Sequence, residues 1–230
     1  MIVRLSAAAL LACACASAHA ARPFVTDDAR IVDPGGYQVE SYVKQQRNAR
    51  EDEFWFLPAW NPGTSVELTF GGYSLHNAEE GRARALIAQA KTLLVPLRAN
   101  DFGLAVTLGA LGQDPLGSTG GLRWGPYVNL IGSRSWFDDA VVVHANAGLL
   151  DDRSAGVTRY TWGLGGEIAA GPRLWGIVEA YNQNGEKPSG QIGLRYWVLP
   201  NRLQVDGTLG AQPAASPHRS WISVGLRFLF

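Results

Sequence analysis

The last ten residues constrain this chain more than any other stretch. From Trp221 the sequence runs WISVGLRFLF, and Ile222, Val224, Leu226, Phe228 and Phe230 alternate with Ser223, Gly225, Arg227 and Leu229. In an extended strand a period of two sends each set to its own face. One face is oily, while the other carries serine, glycine and a charge. A soluble sheet would fold the oily face onto a core. A sheet standing in lipid turns it outward, which is how transmembrane β-barrels are built.

The amino terminus carries Arg4, an apolar stretch from Leu5 to about Ala16, and Ala18-His19-Ala20 as an A-x-A cleavage site. These are the parts of a secretory signal peptide, expected over residues 1–20. Its core is shorter than the roughly 20 apolar residues that a membrane-spanning helix needs. Both cysteines, Cys13 and Cys15, fall inside it, so the mature chain has none and cannot rely on disulfides. Without Arg4 the chain holds 19 Lys and Arg against 20 Asp and Glu, so no strong field draws it to nucleic acid. Charged residues are 17% of the chain, below the soluble average of about 25%, and 27 glycines accompany 8 tryptophans. This balance suits an outer-membrane barrel better than a soluble sandwich, whose solvated faces would carry larger and more polar alternates than Gly, Ser, Thr and Ala.

Alternating stretches bounded by turn residues predict about twelve strands, at 36–46, 52–60, 64–75, 83–95, 101–111, 122–134, 139–149, 157–169, 173–183, 189–198, 202–211 and 219–230. The fold class expected is all-β, a transmembrane antiparallel β-barrel over residues 36–230. Tight turns are expected after each even strand, at Asn61-Pro62-Gly63, Arg98 to Asp101, Phe137-Asp138-Asp139, Gly171-Pro172 and Pro200-Asn201. Longer, more polar loops are expected at the opposite end. Lipid would then face Val141, Val143, Ala145, Ala147 and Leu149, and likewise Phe102, Leu104, Val106 and Leu108. The lumen would take Glu40, Lys44, Glu67, Lys91, Arg123, Asn129, His144, Asn146, Arg159, Glu167, Glu179, Arg195, Asp206 and Arg227, since an Arg or Lys in mid-bilayer costs about 2–4 kcal/mol. If the barrel closes, Glu40 on the first strand should lie beside Arg227 on the last.

Residues 21–35 carry no strand pattern. They read either as a periplasmic lead-in with turn chemistry at Asp33-Pro34-Gly35 or as a partial plug whose carboxylates meet lumenal arginines. The stretch Arg22-Pro23-Phe24-Val25-Thr26-Asp27-Asp28, followed by Gln38-Val39-Glu40, resembles the outer-membrane family labelled "MetA-pathway of phenol degradation" over about the first twenty mature residues. That resemblance implies an outer-membrane barrel transporting aromatic or other hydrophobic small molecules, with no catalytic residues. The terminal Phe230, with Phe228, similarly resembles the carboxy-terminal signal by which outer-membrane proteins engage the barrel assembly machinery.

Enzyme chemistry finds little support. His76 and His218 fall in expected outer loops, and His144 has no serine two residues away. It reads as a lumenal hydrogen-bonding group beside Asn146. The acid pairs Asp27-Asp28, Asp138-Asp139 and Asp151-Asp152 lack calcium-loop spacing and suit turns. Gly163, Gly165 and Gly166 read as close packing or a bulge. No cofactor or metal is expected. The sequence therefore points to a narrow channel or transporter in the outer membrane of a Gram-negative bacterium, with lipid, the assembly machinery and a small solute as partners. A structural or adhesive barrel without transport is the competing class, and an outer-membrane hydrolase a distant third.

Overall fold

The structure is a computed structural model that describes residues 24–47, 50–116, 120–182, 187–214 and 219–230. The expected signal peptide lies outside the described residues. Twelve strands follow one another: β1 (Tyr37–Gln46), β2 (Glu51–Trp60), β3 (Val66–Asn77), β4 (Gly81–Val95), β5 (Phe102–Asp114), β6 (Arg123–Trp136), β7 (Val141–Asp152), β8 (Val157–Ala169), β9 (Leu174–Asn182), β10 (Ser189–Leu199), β11 (Leu203–Gln212) and β12 (Arg219–Leu229). Each pairs antiparallel with its sequence neighbours, and β12 returns to β1, giving a closed barrel. Closure leaves no open edge. Phe230 completes the seam, its N–H donating to the Tyr37 carbonyl at 2.9 Å.

The faces sort as membrane burial demands. Val43, Phe70, Leu108, Leu164, Ile192 and Val224, on six strands spread around the barrel, are each more than half exposed on its outside. Charged groups on the same sheet are buried inside: Glu67, Lys91, Glu167, Glu179, Arg195 and Arg227 are all 5% exposed or less. A soluble sandwich would show the reverse. Aromatic side chains mark both ends of the outer surface, with Tyr37 stacked on Trp60 and Phe102 and Trp136 near the inner end, where β1 begins and β12 ends. Trp124 and Tyr160 stand near the outer end. Interfacial girdles have this layout.

The inner turns fall where turn residues predicted them, and Gly63, Asn100, Phe137, Asp138, Asp139 and Asn201 all take positive φ. The outer connections, however, are barely longer, at three to eight residues against three to six inside. Strands β5 and β7 run three residues further outward than the alternation suggested, and β3 two, absorbing sequence that read as loop. His76 accordingly is the penultimate residue of strand β3 and not a loop residue, while His218 lies outside the described residues.

Closure places Glu40 directly opposite Arg227, with Arg227 Nε 3.6 Å from Glu40 Oε1 and 2.9 Å from Gln38 Oε1. Reversing either charge alone would set like charges side by side in a buried seam, a loss on the order of 3 kcal/mol. The double exchange Glu40→Arg with Arg227→Glu should assemble at close to the native yield while each single reversal lowers it, read as the folded fraction on heat-modifiable gels. Equal yields from all three would remove the seam pair from the account.

Candidate functional site

The bore has two unlike halves. In its inner half, residues 24–32 run through the lumen, and Phe24, Thr26, Asp28, Ala29, Arg30 and Val32 are buried there. Wall side chains hold the main chain of this segment. Glu179 accepts the N–H groups of Val25, at 3.2 Å, and of Thr26. Asn146 accepts from the Asp27 N–H at 2.6 Å and donates to the Asp27 carbonyl at 2.8 Å. Ser133 Oγ accepts from Ala29 N–H at 2.9 Å, and Glu67 from Val32 N–H at 2.8 Å. Asn61, fully buried at the β2–β3 turn, donates to the Val32 carbonyl at 2.8 Å.

Charge ties the segment down as well. Lys91 Nζ lies 2.8 Å from Asp27 Oδ1 and 3.3 Å from Asp28 Oδ1, and Arg30 reaches Asp139 on the β6–β7 turn at 3.3 Å. The carboxylates thus meet a lysine, where the sequence reading had arginines. Burial by itself would raise the Asp28 carboxyl, but the surrounding positive charge, Lys91 foremost, holds it below the ordinary carboxylate range. Glu67, the cross-strand partner of Lys91 on β3, acts on the same lysine. Because the folded value is the lower one, the contribution of Asp28 to docking is complete above its unfolded pKa of about 3.9 and fades as pH falls through the folded value. Protease protection of the segment should therefore hold from neutral pH to about pH 4, and Asp28→Asn should flatten its loss under stronger acid.

The glycines at 163 and 165 have a specific purpose. A Cβ on Gly163 would lie 2.3 Å from Thr26 Oγ1, and one on Gly165 would lie 3.0 Å from the Phe24 ring. They are close-packing glycines, without a bulge in the β7–β8 ladder.

A chain of polar groups runs beneath the segment. Arg195 Nη1 pairs with Glu167 at 2.7 Å, Glu167 with His144 Nε2 at 3.2 Å, and His144 Nδ1 with Ser133 Oγ at 2.8 Å. Ser133 Oγ thus meets both the Ala29 N–H and His144 Nδ1, while His144 Nε2 faces Glu167. Ser, His and Glu in contact resemble a hydrolase triad. Here, however, Phe24 and Ala29 cover them, and His144 and Glu167 are fully buried. The serine was missed because it stands across the hairpin, and pairing about the Phe137–Asp139 turn brings Ser133 opposite His144.

Above and beside the segment lies a cavity of about 450 Å³. It runs from Gln46, Glu51 and Arg219 near the outer rim to Gln38, Ala59 and Glu67 near the inner end. Its charged lining is balanced, with Asp27, Asp28, Glu40, Glu51, Glu53 and Glu67 against Arg30, Lys44, Lys91, Arg219 and Arg227. Tyr42, Trp55 and Tyr73 form a ring ladder across β1–β3, with centroids 5.5 and 4.5 Å apart. Lys44 bridges Glu53 at 3.0 Å and sits 5.0 Å from the Trp221 ring.

Of the residues expected in the lumen, Glu40, Lys44, Glu67, Lys91, Asn129, Asn146 and Arg227 line this cavity. His144, Glu167, Glu179, Arg195 and Asp206 are buried in the inner wall, away from its lining. Arg159 pairs with Asp152 at 2.8 Å near the outer end. Arg123 is a correction. It has the inward parity, but it starts β6 at the exposed rim and bonds the Ser154 carbonyl of the β7–β8 turn at 3.3 Å. The strand has climbed out of the bore before reaching it.

A family model described as "Uncharacterised conserved protein UCP029691" matches residues 7–230. The chain belongs to that family. The phenol-degradation label thus remains a likeness of the amino-terminal segment alone. No curated protein matches the sequence. Among solved structures, a KdgM porin superposes with a TM-score of 0.60 at 11% identity, covering 83% of this chain and 98% of its own. A NanC porin gives 0.55 at 11% identity over the same shares. Outer membrane phospholipase A from Escherichia coli gives 0.50 at 13% identity, covering 92% of this chain and 94% of its own. At such identities the likeness is one of fold, that of outer-membrane porin-like barrels.

Proposed function

We propose that this protein is an outer-membrane channel of a Gram-negative bacterium for small solutes, its bore partly closed by its own amino-terminal segment. The cavity carries this reading. Its volume lies in the range of small-molecule sites, roughly 300–1,000 Å³, and it reaches from the outer rim to the segment. Balanced acids and bases along it favour passage of neutral or weakly charged solutes over strong ion selection. Phe24, Trp55, Tyr73 and Tyr127 among its lining suit compounds with apolar or aromatic parts. Catalysis is not part of the proposal, since the Ser133–His144–Glu167 chain is covered by the segment that it holds.

The packed inner half favours one competitor, a structural barrel without transport. Liposome swelling decides between them: purified protein should admit small phenols and neutral sugars faster than empty vesicles. Rates equal to the empty control would favour the structural reading. We assign Phe230 and Phe228, edge to face at 4.4 Å on the outer surface, to recognition by the barrel assembly machinery.

A further inference from the structure

We propose that the inner half of the lumen is a binding site for a short, bent peptide, and that residues 24–32 are its resident ligand, replaceable by a separate peptide of the same pattern. The inference rests on where this segment lies and is independent of whether the barrel conducts.

The contacts are those of peptide recognition, in which main-chain hydrogen bonds supply affinity and side-chain pockets supply specificity. Glu179, Asn146, Ser133 and Glu67 each take a backbone N–H of the segment. Asn146 also donates to the carbonyl of the residue whose N–H it accepts, as a neighbouring strand would. None of these wall groups needs a particular side chain on the ligand.

Specificity comes from three other features. The notch left by Gly163 fits Thr26, and the one left by Gly165 fits Phe24, with the Arg195 guanidinium 5.7 Å from the Phe24 ring. Lys91 requires acids at the positions of Asp27 and Asp28. Ala29 has no exposed surface and packs on Ala105 and Ile131, so a small residue is needed there. The ligand class is a short peptide, bent as residues 24–32 are, reading aromatic, any residue, Thr, acid, acid, small.

The segment is also separable from the barrel. It adds no strand, since β1 pairs with β12 and β2 without it. Beyond Val32 the chain passes through Asp33, Pro34 and Gly35, all exposed, with Gly35 at φ +79°. Its release breaks side-chain contacts and leaves the inter-strand ladder whole.

The test uses the full-length protein, folded in detergent, with a protease site inserted between Pro34 and Gly35. After cleavage the fragment should stay bound, and a fluorescent synthetic peptide spanning Phe24–Asp33 should displace it saturably. A scrambled peptide of equal composition should bind at least about tenfold more weakly. Gly163→Ala should weaken the native peptide by a similar factor, and Lys91→Met by about a hundredfold or more. Equal binding of native and scrambled peptides overturns the proposal, as does a cut fragment that excess peptide never displaces. The peptide comparison on the unsubstituted barrel decides even where a variant folds poorly. Conductance recorded on the same samples separates the two ideas: a barrel that exchanges the peptide yet conducts no better once the cut fragment is washed out loses the channel reading and keeps the peptide site.

Discussion

Deleting Ala21–Asp33 should turn a largely closed bore into a steadily conducting one, with single-channel current in planar bilayers rising severalfold over the full-length protein. The segment fills the inner half, and the wall groups that hold it are polar. Water entering the vacated space would rehydrate Glu179, Asn146, Glu67 and Lys91, so the barrel should survive the deletion. The charge balance also predicts selectivity. With Asp27, Asp28 and Arg30 gone, the cavity lining keeps Glu40, Glu51, Glu53 and Glu67 against Lys44, Lys91, Arg219 and Arg227. The reversal potential in a salt gradient should therefore stay close to zero. A deletion variant with the conductance of the parent would show that the segment does not limit the bore.

Lys91→Met should release the segment while sparing the barrel. Lys91 is 5% exposed and answers two carboxylates, one of them on Asp28, which is 2% exposed. Removing one partner of a buried ion pair costs about 3–5 kcal/mol, because the remaining charge is stranded. Of the charges that Lys91 faces, those of Asp27 and Asp28 sit on a segment that can leave, and Glu67 on β3 is rehydrated once it has left, so the loss should appear as undocking. We expect rapid proteolysis of residues 24–32 together with native heat-modifiable migration of the barrel. Adding Asp27→Asn and Asp28→Asn should restore much of the protection, since neutral amides tolerate a site without a cation. Protection in Lys91→Met equal to that of the parent would mean that backbone contacts alone hold the segment.

The strand bounds were legible to within three residues, and for a physical reason. In lipid a charge on the wrong face at mid-depth is expensive, so apolar and polar residues alternate along most of each strand. The inner turns were legible too, because Asn, Asp and Gly tolerate the left-handed conformations that tight turns need. A serine on a neighbouring strand stays open from sequence alone, because such groups assemble in space, and it is the pairing of β6 with β7 about their turn that sets Ser133 opposite His144. Arg123 shows the limit of parity, which gives the face of a residue and says nothing of its depth.

The sequence by itself determined a barrel of about twelve strands with its oily side outward, since a period of two is a local property that lipid converts into a global one. Only the tertiary structure decided what fills the bore. Residues 24–32 have no periodicity, because their partners are side chains from β3, β4, β6, β7 and β9 and not a neighbouring strand. Those groups converge only once the sheet has closed, which is why Lys91, Glu179, Asn146 and two glycines on β8 could not be recognised as one site along the chain.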